Sequence, residues 1–134
     1  MRLAMKFSAV PAAIFESEQR DPSVIIRDWH AHVYFDPAEA VEVSQFLKFA
    51  SSHLGVPMGY VHTRPVGPHP RGSCQLTIPT QRFGEVTQWL AINRGDYTIL
   101  LHPSTGDDVA DHLFHAIWLG PIEELVPPPG LQGR

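Results

Sequence analysis

Apolar and polar residues alternate with a period of two through "DWHAHVYF", residues 28–35, which predicts a β-strand. Trp29, Ala31, Val33 and Phe35 point to one side of it; His30, His32 and Tyr34 point to the other. The period then lengthens to that of a helix over "DPAEAVEVSQFLKFASSHLG". Asp36 is placed to cap that helix, Pro37 suits its first position, and Glu39 completes a capping-box spacing. Val43, Phe46, Leu47, Ala50 and Leu54 form the apolar stripe, and Gly55 is a natural stop. "MGYVHT" predicts a second strand, and the proline-rich loop "RPVGPHPRG" leads to a third at "SCQLTIP". Thr80 is expected to cap a second helix running to Asn93, with Phe83, Val86 and Leu90 inward and Gly95 at its end. "YTILLHP" predicts a fourth strand. After Pro103 the pattern suggests a loop, a short helix over Val109–His115 and an extended piece at "WLG". Another extended piece is expected around Val24–Arg27.

This order is β-α-β-β-α-β, an α+β ferredoxin-like sandwich with helices on one sheet face and the other face open. The domain is expected to span 28–126, with an N-terminal extension over 1–27 and a flexible tail over 127–134. Alternation assigns Ala31, Val33, Phe35, Leu76, Ile78, Ile99 and Leu101 to the helix-covered face. The open face receives His30, His32 and Tyr34, then Tyr60 and His62, Gln75 and Thr77, and finally Thr98, Leu100 and His102. A single bulge would move one strand's contribution.

Composition changes this picture in three ways. The chain has 134 residues, a size that suits one core. Its net charge of -4, with no basic cluster, argues against a nucleic-acid groove. Its one cysteine, Cys74, rules out an internal disulfide and a thiolate zinc site, which leaves imidazole, carboxylate or water to hold any metal. A reducing, cytoplasmic setting fits that usage, and no apolar run is long enough to span a bilayer. Arg2 and Lys6 precede a weakly apolar stretch, but Pro11 interrupts it and Glu16 and Glu18 follow, so secretion is not expected.

Eight histidines are the unusual feature. Singly, each has a plain explanation. His53 can favour a helix C-terminal dipole, His69 sits in a loop stiffened by prolines, and His112 can pair with the preceding Asp111 on a surface helix beside His115. An HxH pair in a strand is a weak motif. Imidazoles arriving on one face from several rigid segments are what a metal site needs. Neutral imidazole suits zinc, iron, copper and nickel, and open coordination positions would permit catalysis.

The segments "WHAHVYFDP", "HTRPVGPHPRGSCQLTIP", "NRG", "LLHPSTGDDVADH" and "AIWLG", in this order, resemble the DOPA 4,5-dioxygenase family from Asp28 to Gly120. The resemblance implies a ferredoxin-like domain, often a homodimer, and extradiol opening of a catechol such as DOPA with Fe(II) as cofactor, zinc being the alternative. A small aromatic substrate and dioxygen are the implied partners. Carried onto this chain, His32, His69 and His102 are the expected metal ligands, with His30, His62 and His112 in catalytic roles. Tyr34, Tyr60, Arg64 and Gln75 are expected at the substrate, together with Arg71, which could pair with a substrate carboxylate. Some members resemble a two-histidine, one-carboxylate pattern with glutamate where this chain has Gln75. The site is then all-histidine, or Asp107, Asp108 or Glu123 supplies the charge, or the metal and reaction differ. The rival readings are a non-catalytic metal- or ligand-binding dimer, a zinc enzyme of other chemistry, and a dimer whose interface the histidines line.

Overall fold

The computed structural model describes residues 24–126. Strand β1 (Asp28–Phe35) is followed by a 3-10 turn (Pro37–Glu39), helix α1 (Ala40–Leu54), β2 (Gly72–Pro79), a second 3-10 turn (Thr80–Arg82) and α2 (Phe83–Asn93). Then come β3 (Thr98–Pro103), α3 (Asp108–Leu113) and β4 (Ile117–Leu119). The four strands form one antiparallel sheet in the order β2-β1-β3-β4.

Alternation holds in β1, β2 and β3 because one face is fully buried, so a one-residue slip would expose every apolar side chain. Ala31, Val33, Phe35, Leu76, Ile78, Ile99 and Leu101 are all in the core, with Cys74. From α1 the core takes Val43, Leu47, Ala50 and Leu54, and from α2 Val86 and Leu90. Phe46 and Phe83 pack at its margin. Each fully buried leucine or isoleucine contributes roughly 1.5–3 kcal/mol, so this layer anchors the strands that carry the histidines. Gly55 closes α1 at φ 69°. The capping box of Asp36 and Glu39 stands at the 3-10 turn that leads into α1, where the Asp36 N–H donates to Glu39 Oε1 at 2.9 Å. The Asp36 carboxylate also accepts from Arg71, 3.0 Å away.

Three expectations are corrected. "MGYVHT" is not a full strand: it touches β2 through isolated bridges at Met58–Leu76 and His62–Ser73. Between them the segment advances four residues while β2 advances three, so one residue is extra, as in a bulge. Met58 and Val61, three apart, both reach the core, and Tyr60 is thrown outward, 77% exposed. This fringe lies outside β2, where the second strand of a ferredoxin-like sheet belongs. Thr80 does not cap α2. Its hydroxyl donates to the Ile26 carbonyl at 2.8 Å, a tertiary bond that local spacing does not reveal. Residues 24–27 form no strand. The expected tail, 127–134, and residues 1–23 lie outside the described residues.

The face opposite α1 and α2 carries only the short helix α3 but is far from bare. Tyr34, Thr98 and Leu100 are buried there. Trp118, opposite Leu100 in register, helps to cover it. Arg71 grips Glu123 with two bonds, Nε to Oε1 at 3.0 Å and Nη2 to Oε2 at 2.7 Å. Farther along, the Val126 N–H reaches the Pro68 carbonyl at 2.8 Å. The segment after β4 is thereby tied to the loop between the fringe and β2. Among the described residues no helix is long and apolar enough to cross a membrane.

Candidate metal centre

Four separate pieces of chain bring five histidines together. β1 presents His30 and His32 on one face, two residues apart, and β3 places His102 directly opposite His30. His69 enters from the loop, where its N–H closes a turn onto the Val66 carbonyl at 3.0 Å. His112 comes from α3, whose N-terminus is capped by Asp107 Oδ1 accepting from the Ala110 N–H at 3.0 Å. The Nε2 atoms of His32 and His102 stand 3.0 Å apart. The rings of His32 and His69 are 4.1 Å apart, and those of His102 and His112 are 3.9 Å apart. His32, His69 and His102 are buried, at 7%, 6% and 3% exposure. His30 and His112 are half-buried.

Ligand atoms gather in two overlapping triads, His30–His32–His102 and His32–His69–His112, each with all its atoms within 4.8 Å of one another. His32 belongs to both. The expected trio of His32, His69 and His102 is thus divided, each outer member joining His32 with a different companion. His62 is half-buried beside Tyr60 and belongs to neither triad.

Hydrogen bonds fix where two of the protons sit. A carbonyl oxygen can only accept, so His102 Nδ1, 2.9 Å from the Pro103 carbonyl, carries the proton. His112 Nδ1, 2.7 Å from the Asp108 carbonyl, does likewise. The Nε2 atom of each neutral ring then offers a lone pair. In the metal-free protein His32 Nε2–H must be the donor to His102 Nε2. Burial, reinforced by neighbouring imidazoles, holds His32 well below the usual histidine range. Burial likewise pushes His69 and His102 down to about 4, and lowers His30 against the opposing pull of Asp28.

This donor set fits a cation. The Nε2 atoms of His32 and His102, 3.0 Å apart, are close enough for both to reach one cation at the usual distance of about 2.0–2.1 Å. The lowered basicity keeps the rings deprotonated near neutrality, as ligation requires. Nδ1–H bonds to backbone carbonyls orient His102 and His112 as the outer partners of metal-bound histidines commonly do. Among the described residues no carboxylate joins either triad. Asp107 caps α3, and Glu123 is held by Arg71. Asp108 lies exposed at the start of α3. Gln75, across from His32 in register, donates to Thr77 Oγ1 at 2.9 Å.

The expected substrate contacts divide. Tyr34 is fully buried and hydrogen-bonds His69 Nδ1 at 2.7 Å, so it supports the cluster from behind. Tyr60 and Arg64 are exposed. Arg71 is already engaged by Glu123 and Asp36. Sequence reasoning missed Asp111, 1% exposed, which accepts from the Thr105 N–H at 2.9 Å and the Thr105 hydroxyl at 2.6 Å. Its position inside "STGDDVADH" was the available signal, yet His112 drew the attention as its partner.

The depressed basicities predict an acid weakness. In the unfolded chain these histidines titrate near 6.5, while folded His69 and His102 titrate near 4. Between those values the unfolded state binds more protons, so stability is present above about 6.5 and is lost as pH falls toward 4. The urea midpoint of metal-free protein is expected to be lower at pH 5 than at pH 7. An equal or higher midpoint at pH 5 contradicts the assignment.

An α+β sandwich with a buried polyhistidine cluster on the sheet face opposite its two long helices defines a class of candidate metal-binding domain. Residues 29–126 match the model of the Dopa 4,5-dioxygenase family, and the chain belongs to that family. It is 35% identical over 105 residues to the DOPA 4,5-dioxygenase of Amanita muscaria, a match covering 72% of this chain and 46% of that protein. It is 39% identical over 64 residues to an uncharacterized 21.2 kDa protein of Botryotinia fuckeliana, covering 42% of this chain and 35% of that one. The chain thus spans less than half the length of these curated relatives. A crystal structure of a candidate dioxygenase from Nostoc punctiforme superposes with a TM-score of 0.69 at 37% identity, covering 79% of this chain and 92% of that one.

Proposed function

We propose that this protein is a metal-dependent extradiol dioxygenase that opens the ring of a catechol such as DOPA, with Fe(II) at the histidine cluster. The observation that carries the reading is the buried pair of facing Nε2 atoms on His32 and His102, in a chain of this family. His30 completes the ligand set better than His69. It stands on the same rigid sheet, across from His102 and two residues from His32, whereas His69 comes from a loop. Two roles expected from the sequence are thereby exchanged: His30 joins the ligands and His69 leaves them.

Bound iron would supply the positive charge and redox chemistry that activate catechol and dioxygen. The chain's own residues do the rest. His112, with Nδ1–H tied to Asp108, offers Nε2 as a base for a catechol hydroxyl proton. Buried Leu100 and half-buried Trp118 shield that face from water.

The test is anaerobic reconstitution with Fe(II), addition of a catechol panel that includes DOPA, and admission of air. A yellow ring-fission chromophore with matching oxygen uptake is expected. No colour and no uptake with every catechol sinks the reading. Because an all-imidazole set also suits zinc, metal analysis of protein purified without added metal belongs beside it.

The homodimer belongs to the same proposal. Leu113, Phe114, Ile117 and Ile122 are exposed around the three-residue edge strand β4, apolar surface that a second copy can cover. Sedimentation is expected to show a dimer at micromolar concentration; a monomer refutes it.

A further inference from the structure

We propose that Tyr34 and His69 form a hydrogen-bonding dyad. Tyr34 fixes His69 as its Nε2–H tautomer, so that His69 donates to an anionic oxygen of the bound ligand and does not ligate the metal. The inference rests on the metal-site reading above for its second half, but the tautomer follows from the protein alone.

Tyr34 is fully buried, and its hydroxyl lies 2.7 Å from His69 Nδ1. Among the described residues this hydroxyl has no other hydrogen-bond partner. If His69 Nδ1–H were the donor, the phenol proton would be buried with no acceptor, an arrangement folded proteins avoid. If the phenol donates, both groups are satisfied by one bond. The ring proton of neutral His69 then resides on Nε2.

His102 and His112 are wired in the opposite sense. Backbone carbonyls hold their protons on Nδ1 and leave Nε2 as a lone pair. The cluster therefore presents acceptors from β3 and α3 and a donor from the loop. The proton of His32 can move to its Nδ1, which has no hydrogen-bond partner among the described residues, and so free Nε2 for a cation; that of His69 cannot, because its Nδ1 lone pair is occupied by Tyr34. The ring nonetheless packs against His32, a ligand in this reading, at 4.1 Å. A donor beside a residue that would hold the metal would suit a negatively charged oxygen of the bound ligand. A catecholate oxygen has that chemistry, and a neutral apolar ligand does not.

Two measurements test this. Long-range 1H–15N spectra of metal-free protein labelled with 15N-histidine are expected to show His69 protonated on Nε2. His102 and His112 are expected to be protonated on Nδ1, and Tyr34→Phe should abolish the His69 pattern. Nδ1 protonation of His69 in the unsubstituted protein overturns the dyad.

In the zinc-loaded protein, His69→Ala is expected to keep one zinc per chain while 4-nitrocatechol binding weakens roughly tenfold or more. His69→Gln, whose amide can donate, should recover part of that loss. Zinc loss in His69→Ala as deep as in His30→Ala overturns the donor role. If the unsubstituted protein takes up no zinc or iron, the metal reading of the previous section fails, and the spectra alone decide the tautomer.

Discussion

His32→Ala is expected to abolish specific metal binding, with zinc affinity falling by at least about 100-fold, beyond what loss of an outer-sphere partner costs. The reason is topological. His32 is the one residue shared by both triads, so its removal leaves two imidazoles on each side and no complete set. No set of three imidazoles that lacks His32 gathers its ligand atoms in this way among the described residues. Linkage gives a second readout. Metal at 100 times its Kd stabilises the folded state by about 2.7 kcal/mol, which for a domain of this size raises Tm by roughly 10 °C. That shift should vanish in His32→Ala.

The metal-free variant should stay folded, because the substitution removes a desolvated ring crowded by other imidazoles and leaves the apolar core on the other sheet face intact. His62→Ala is the control: it removes an imidazole from this region, half-buried where His32 is buried, and from outside both triads. Full zinc binding by His32→Ala would remove this residue from the centre. Zinc loss in His62→Ala would show that the triads misplace the site.

The part of the site built on strands was readable from alternation. His30, His32 and His102 share a face because Ala31, Val33 and Leu101 are pinned in the core on the other, and a buried face fixes parity. His69 and His112 stand on a loop and a six-residue helix, where no period specifies direction. Their motifs marked them as interesting without saying what they touch. Tyr60 was misplaced by a single extra residue in the fringe beside β2, which alternation cannot detect.

Whether a carboxylate joins the histidines stays open in the sequence for a different reason. Asp107, Glu123 and Arg71 carry charges that sequence reading offers to a ligand, but in the fold a helix cap and an ion pair claim them first. Such local and cross-chain uses are invisible until the partners are known. The same holds for the proton positions on His102 and His112, which depend on backbone carbonyls of Pro103 and Asp108 rather than on any side-chain motif.

Asp111→Ala is expected to destabilise the protein by about 2–4 kcal/mol and to weaken catalysis through His112, one residue away. Asp111 is almost wholly buried, and both carboxylate oxygens are used on one residue, Thr105. Those two bonds tie the turn after β3 to the middle of α3. Without them the Thr105 N–H and hydroxyl lose their acceptors, and the short helix loses its anchor to the sheet. A helix of six residues has little stability of its own, so tertiary ties decide its position.

His112 is set by that helix, through its own bond to the Asp108 carbonyl. Asp111→Asn separates the two effects. Its carbonyl oxygen can still accept from the Thr105 N–H, while its amide can only donate to the Thr105 hydroxyl, whose own proton then loses its acceptor, so an intermediate loss of Tm is expected. Ring-cleavage activity should fall in the same order, Asn before Ala. Zinc affinity should fall far less, because His30, His32 and His102 sit on strands that Asp111 does not hold. Zinc loss in Asp111→Ala comparable with that in His32→Ala would instead place α3, and with it His112, among the ligands.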